Sequence, residues 1–152
     1  TDIKTVVEVM KQVAPGSAAE LLDATIALAS EAKDFEAFRT AYYDKFLISF
    51  LDPGEAVAVA VGSLLLGEGK FEESTLNAVH FGRDCDSIAT VAGAIAGACS
   101  GVEEIPSAWI ETVDAAREEE PSQADLAEGL YAALQTELNA ARQWADQYEE
   151  LL

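Results

Sequence analysis

The feature that most constrains this sequence is a polar cluster, Asp84-Cys85-Asp86-Ser87, directly before a run of small and apolar residues. Two carboxylates and a hydroxyl crowd into four residues. The carboxylates repel one another unless a cation or a set of hydrogen-bond donors offsets their charge. Asp and Ser are also preferred at helix N-caps, where negative charge is favoured by the helix dipole. The cluster therefore predicts either a capped helix start or half of a metal site.

The run that follows the cluster favours the metal site. Residues 89–101 carry Gly93 and Gly97, four apart, among alanines. This pattern predicts a thin helix that another backbone can approach closely, and a surface helix would not need so narrow a face. We therefore expect the cluster to open a buried helix. Buried carboxylates require a partner, and oxygen ligands suit magnesium or manganese rather than zinc.

Four stretches around the cluster match a known family in order and spacing. They are Gly82-Arg83-Asp84-Cys85-Asp86-Ser87, the Ala/Gly-rich run 92–98, Gly101, and Ile105-Pro106-Ser107-Ala108-Trp109. Together they resemble the C-terminal signature of the ADP-ribosylglycohydrolase family. The upstream stretch 65–74 resembles the segment that leads into this signature, and the whole resemblance covers about residues 55–113. One departure is Ser87, where the family usually has Thr, and Ser keeps the hydroxyl ligand.

The resemblance implies a fold, a cofactor and a substrate class. The fold would be all-α, a multi-helix orthogonal bundle like the C-terminal half of the family fold. A complete site would bind two Mg²⁺ ions, with Mn²⁺ as the alternative, and would act on an ADP-ribosyl or nucleoside-type substrate. Carried over residue by residue, Asp84, Asp86 and Ser87 would be metal ligands, and Gly82 and Arg83 would line the substrate side of the same loop.

The chain lacks what the first half of the family brings. Family members are normally about twice this length, and their first half carries a Ser/Thr-Asp-Asp metal cluster and an acidic general acid or base. This sequence contains no Asp-Asp pair. We therefore expect half of a metal site, no catalytic residue that can be assigned, and a partner chain with the N-terminal half.

Three functions remain open on this basis. The first is a ribosyl hydrolase completed by an N-terminal half. The second is a hydrolase of the same fold that cleaves a small nucleoside or nucleotide N-glycoside. The third is a non-enzymatic binding or structural member of the family.

The first residue, Thr1, suggests a further variant of the first function. A chain that starts without Met would fit a trimmed initiator, a fragment, or one subunit of a processed heterodimer. A free N-terminal Thr can also act as a nucleophile whose own amine serves as the base, which is the minor alternative.

Charge and composition exclude several classes of partner. The formal charge is −19, from 28 acidic residues against 9 Lys and Arg, and such a surface repels duplex nucleic acid. No apolar run is long enough for a membrane span, and no signal peptide is recognisable. The cysteines, Cys85 and Cys99, are too far apart along a helix for a disulfide, which favours a cytoplasmic location.

Apolar periodicity predicts helices nearly throughout. The predicted ranges are 2–13, a helix to Ala32 with a Ser17–Glu20 capping box, 35–43, 55–66 as a buried helix rather than a strand, 72–80 and 106–117. We predict a family-like domain over residues 1–117, a hinge at 118–122, and a long amphipathic helix over 123–152 that lies outside the family resemblance. Its apolar stripe would pack on the domain or form an interface with another chain.

Overall fold

The regular structure of the chain is helical. The computed structural model describes residues 2–49, 52–116 and 120–149, and within these ranges no strand is present. The helices are α1 (Ile3–Val13), α2 (Gly16–Glu31), α3 (Phe35–Lys45), α4 (Pro53–Leu66), α5 (Phe71–Phe81), α6 (Cys85–Ser100), α7 (Ser107–Ala115) and α8 (Gln123–Glu149), with a 3-10 turn at Val102–Glu104. The predicted all-α fold is confirmed. In the described part of the chain, no helix has both the length and the hydropathy of a membrane span.

Two compact units divide the chain, Thr1–Pro106 and Ser107–Leu152. The boundary that we predicted at residue 117 falls outside the described residues, as do Thr1 and positions 118 and 119 of the predicted hinge. The domain boundaries and the candidate role of Thr1 therefore stay predictions.

Helix α4 is the centre of the first unit. It packs against α1, α2, α3, α5 and α6, and every residue from Ala58 to Leu64 is buried. A helix that is apolar on all sides belongs inside a core. Such a helix has no polar face to reveal its helical period, which is why the valine and alanine pattern of this segment could resemble a strand. Asp52 fixes its start, since the carboxylate accepts hydrogen bonds from Gly54 N (2.8 Å) and Glu55 N (3.2 Å).

Two glycines of this region allow helices to approach closely. A Cβ on Gly62 would collide with the ring of Phe38, which is completely buried. A Cβ on Gly67 would lie 2.5 Å from Ser74 Oγ and 2.7 Å from Ser74 N, so the end of α4 touches the first turn of α5. This contact holds the start of α5 against the end of α4, and α5 leads directly to the polar cluster.

The start of α2 differs from the prediction. The helix begins at Gly16 with Pro15 at the N-cap, and no side chain caps it. Ser17 and Glu20 therefore do not form a capping box, because Ser17 already lies inside the helix. A reciprocal cap of that kind begins α8 instead, where Asp125 N donates to Ser122 Oγ (3.1 Å) and Ser122 N donates to the Asp125 carboxylate (3.2 Å).

Candidate functional site

The loop between α5 and α6 positions the polar cluster. Its first two residues have left-handed backbone angles, with φ of 82° at Gly82 and 58° at Arg83. A positive φ is uncommon for a residue other than glycine and is disfavoured by about 1–2 kcal/mol. The conformation of Arg83 therefore has to be stabilised by contacts from the rest of the first unit.

One anchor of the loop is the carbonyl of Phe81, immediately before it. This oxygen accepts hydrogen bonds from Tyr43 Oη (2.7 Å) and Arg39 Nε (3.0 Å). Both donors lie on α3, and the Arg39 guanidinium also lies 4.8 Å from the centre of the Tyr43 ring. Helix α3 thus fixes the point at which α5 ends and the loop begins.

A second anchor is an ion pair between the buried carboxylate of Glu55 and the partly exposed Arg83. Arg83 Nε lies 2.6 Å from Glu55 Oε1, and Arg83 Nη2 lies 3.4 Å from Glu55 Oε2. The side chain of Glu55 is only 3% exposed and that of Arg83 is 21% exposed. Ile48 N also donates to Glu55 Oε2 at 2.8 Å. The carboxylate is therefore satisfied on both oxygens, and it holds Arg83 in its left-handed conformation.

Sequence reasoning missed the role of Glu55. The signal was present, because Glu55 is the only charged residue in the otherwise apolar sequence of α4. A charge on a helix that is buried on all sides requires a partner, and that partner is Arg83, 28 residues away.

The ion pair changes the interpretation of Arg83 as a substrate-side residue. Its guanidinium is engaged with Glu55, so its observed contribution is to hold the loop. Gly82 lies at the same turn, and a Cβ there would come within 3.3 Å of Tyr43 Oη. Whether Gly82 and Arg83 line a substrate stays a prediction.

Tyr42 lies beneath the loop and shares this electrostatic environment. Its side chain is fully buried, and its ring meets that of Phe81 edge-on at 5.4 Å. Burial raises the pKa of Tyr42 to about 12, because the phenolate would lose its hydration. The nearby Glu55 carboxylate raises this pKa further, whereas the Arg83 charge lowers it.

Asp84 occupies the N-cap position of α6 without capping the helix. No hydrogen bond joins its carboxylate to the amides of the first turn. Two other aspartates of the chain do cap helices: Asp34 accepts from Ala37 N at 2.8 Å, and Asp52 caps α4. Capping therefore does not account for the carboxylate of Asp84, which is available to another partner.

The other two members of the cluster are exposed. Asp86 and Ser87 lie in the first turn of α6 and face solvent, and Asp84 is half-buried. Our expectation that the cluster is buried was wrong. The buried stripe of α6 consists of Ile88, Ala92 and Ala96, and it begins only after the first turn.

The donor set fits part of a magnesium site. Asp84 and Asp86 provide carboxylate oxygens, and Ser87 provides a hydroxyl, which are the ligand types that Mg²⁺ and Mn²⁺ take. The N-terminal end of the α6 dipole partly offsets the carboxylates. Within the described residues, no group of three or more His, Cys, Asp or Glu side chains could hold a metal ion. The cluster therefore fits a cation only as one side of a larger site.

A separate apolar groove does not contain this chemistry. It has a volume of about 390 Å³ and lies between α1, α2 and the start of α4, where Met10, Val13, Leu22 and Val57 contribute to its lining. Its lining includes no carboxylate and no residue of the segment 82–87. The candidate site of the first unit is therefore the exposed cluster at the start of α6.

Comparison with known proteins places this chain in a family. Residues 1–142 match the family model of ADP-ribosylglycohydrolase. ADP-ribosylhydrolase ARH3 of Bos taurus is 30% identical over 104 residues, 68% of this chain and 25% of the relative. The Homo sapiens protein of that name is 31% identical over 80 residues (53% and 20%), and the Mus musculus protein 30% over 101 residues (66% and 24%). No solved structure matches significantly.

The extent of these matches corrects the prediction for α8. The family match reaches residue 142, so the expectation that α8 lies outside the family was wrong. The chain spans a quarter or less of the length of the curated relatives. The match covers most of the chain and includes both anchors of the loop and the polar cluster. This chain belongs to the ADP-ribosylglycohydrolase family.

Proposed function

We propose that the chain contributes one side of the active site of a metal-dependent hydrolase that cleaves ribosyl glycosidic bonds, with an ADP-ribosylated molecule as the substrate class. The observation that carries the proposal is the carboxylate of Asp84, which does not cap α6 and lies beside Asp86 and Ser87. The loop that presents these residues is held by the Phe81 carbonyl and by the Glu55–Arg83 pair. Family membership and the names of the ADP-ribosylhydrolase relatives support the substrate class.

Each residue of the loop has a proposed role. Asp84 and Asp86 would hold Mg²⁺, or Mn²⁺, through their carboxylates, and Ser87 through its hydroxyl. When bound, the cation supplies Lewis acidity toward ribose oxygens and water. The Glu55–Arg83 pair positions Asp84 by fixing the residue before it. Gly82 would line the substrate side of the loop through its backbone, since the place of a side chain there is taken by Tyr43 Oη.

The proposed site is completed by residues that this chain does not provide. Within the described part of the chain, no three His, Cys, Asp or Glu side chains come together to hold a metal ion, and Asp86 and Ser87 are open to solvent. We propose that an N-terminal half of the fold, on a partner chain or on the same polypeptide, brings the remaining ligands and the general acid or base.

The test is release of ADP-ribose from an ADP-ribosylated protein, with and without Mg²⁺, by the purified protein together with whatever polypeptide co-purifies in stoichiometric amount. Release should require Mg²⁺ and should fall at least about 100-fold in Asp86→Asn. Glu72→Gln is the matched control, because Glu72 is also an exposed acid in the first turn of a helix, and it should retain activity.

Two results would contradict the proposal. If Asp86→Asn and Glu72→Gln release ADP-ribose at the same rate, the cluster is not the metal site. If the complete assembly instead cleaves a free nucleoside N-glycoside and leaves ADP-ribosylated protein intact, the substrate class is wrong although the metal site stands.

A further inference from the structure

Helix α8 carries an exposed apolar face that the proposed hydrolase site does not use. The helix has 27 residues and is about 40 Å long. Its large apolar side chains are from 43% to 67% exposed: Leu126, Leu130, Tyr131, Leu134, Leu138, Trp144 and Tyr148. An exposed apolar surface of this extent marks an interaction site.

Within this face, eight apolar residues recur at alternating spacings of three and four. They are Ala124, Ala127, Tyr131, Leu134, Leu138, Ala141, Ala145 and Tyr148, and we call them the α8 seam. An unbroken alternation of this kind over three heptads or more is the pattern of a two-helix coiled coil. The seam therefore fits another helix along its whole length.

The sizes of the seam residues select an antiparallel copy of the same helix. With Leu134 opposite Leu138 of the second copy at the centre, each tyrosine meets an alanine: Tyr131 meets Ala141, and Tyr148 meets Ala124. The remaining layer places Ala127 opposite Ala145. In a parallel pair each residue would meet itself, so Tyr131 would face Tyr131 and Ala141 would face Ala141. Two helices pack at a uniform distance of about 8–10 Å. At that distance a large residue fits opposite a small one, whereas a layer of two large residues is crowded and a layer of two small residues leaves a gap.

The residues that flank the seam agree with the same register. On one side Glu128 comes opposite Arg142 of the second copy, and by symmetry this attractive pair occurs twice. Arg142 is the only basic residue of α8. On the other side Leu130 comes opposite Trp144, so two further exposed apolar side chains are covered. Glu137 opposite Glu137 is the single unfavourable pair, at an exposed position.

We propose that α8 is a homodimerisation helix, and that two copies of the chain associate through an antiparallel α8–α8 coiled coil. The occupant of the exposed face is thus a second copy of this chain. The proposal does not rest on the proposed hydrolase function.

Sedimentation equilibrium over a range of protein concentrations tests the proposal at physiological salt, where screening limits repulsion between two acidic chains. The expected species has twice the 16.1 kDa mass of the chain. The double variant Leu134→Glu/Leu138→Glu should raise the dissociation constant at least about 100-fold. Thr136→Glu, on the opposite side of α8, should leave it unchanged. A monomer at all concentrations, or a dimer that the seam variant does not weaken, would overturn the proposal.

Charge reversal tests the antiparallel orientation separately. Arg142→Glu alone and Glu128→Arg alone should each weaken the dimer, and the double variant should restore it, because the reversed pair is again attractive. In a parallel dimer Arg142 would instead come opposite Glu137 of the second copy, so Glu137→Arg would be the variant that restores it. Restoration by Glu137→Arg and not by Glu128→Arg would overturn the proposed register.

Discussion

Removing either partner of the Glu55–Arg83 pair should destabilise the first unit, and the two removals should be unequal. Arg83→Ala leaves a carboxylate that is 3% exposed with Ile48 N as its remaining donor. Glu55→Ala leaves a guanidinium that is 21% exposed and can turn toward water. Because the stranded carboxylate is the more deeply buried charge, we expect Arg83→Ala to lower the free energy of unfolding more than Glu55→Ala.

The magnitude follows from the burial of each group. Breaking a buried ion pair by removing one partner costs about 3–5 kcal/mol, which we expect for Arg83→Ala. For Glu55→Ala we expect about 1–3 kcal/mol, since water can replace part of the lost interaction. The double variant strands no charge, so its loss should be smaller than the sum of the two by about 1–3 kcal/mol. Arg83→Ala and Arg83→Lys both keep the Cβ, so the backbone strain at this position is unchanged in either, and Arg83→Lys also keeps a positive charge beside Glu55.

Urea unfolding followed by circular dichroism measures these differences. A loss of about 4 kcal/mol would move the urea midpoint by about 2 M for a typical dependence on urea. Lys33→Ala, which removes an ion pair that is mostly exposed on both partners, is the control and should change the midpoint little. A stabilising role for the pair is ruled out if Arg83→Ala lowers the free energy of unfolding no more than Lys33→Ala does, or if the effects of the two single variants simply add in the double variant.

Two further predictions follow from packing and from burial. Gly62→Ala should destabilise the protein by about 1–3 kcal/mol in urea unfolding, because the new methyl group meets the Phe38 ring. Gly129→Ala is the control, since no atom lies within 4 Å of a Cβ there, and it should leave the stability unchanged or raise it by about 0.5–1 kcal/mol. Equal effects of the two substitutions would contradict the packing around Gly62. Because the raised pKa of Tyr42 keeps the phenol neutral in the folded state, its contribution to stability is complete below pH ~10, the pKa of an unfolded tyrosine, and is lost as the pH rises to about 12. Tyr42→Phe should therefore flatten the fall in unfolding free energy over this window, whereas Tyr131→Phe, at an exposed position, should not, and identical curves for the two variants would refute the cause.

Local patterns predicted the helices because each pattern has a local cause. The apolar segment of α4 is buried on all sides, so its composition alone identified a buried helix. The α2 cap was wrong for an equally local reason. The helix begins at Gly16, directly after Pro15, so Ser17 falls inside the helix and cannot cap it.

The candidate site was only partly predictable, because its support comes from distant residues. The spacing of Asp84, Asp86 and Ser87 identified the cluster, but nothing in that spacing shows how far the first turn of α6 projects from the core. The pairing of Glu55 with Arg83 depends on how α4 packs against the α5–α6 loop, and a single sequence does not contain that distance. A lone charge in an apolar helix indicates that a partner exists and does not identify it.

The proposal that Asp84, Asp86 and Ser87 bind a divalent cation is tested most directly by NMR, with Mn²⁺ as a paramagnetic probe added to the ¹⁵N-labelled protein together with the polypeptide that completes the site. We expect the amide signals of residues 84–87 to broaden at the lowest Mn²⁺ concentrations. Mg²⁺ should reverse the effect, and Asp86→Asn should abolish it while Glu72→Gln should not. The chain has 28 acidic residues, so unspecific binding of Mn²⁺ would instead broaden the amide signals of acidic helix faces throughout the chain at similar Mn²⁺ concentrations. That result, or unchanged broadening in Asp86→Asn, would contradict the account.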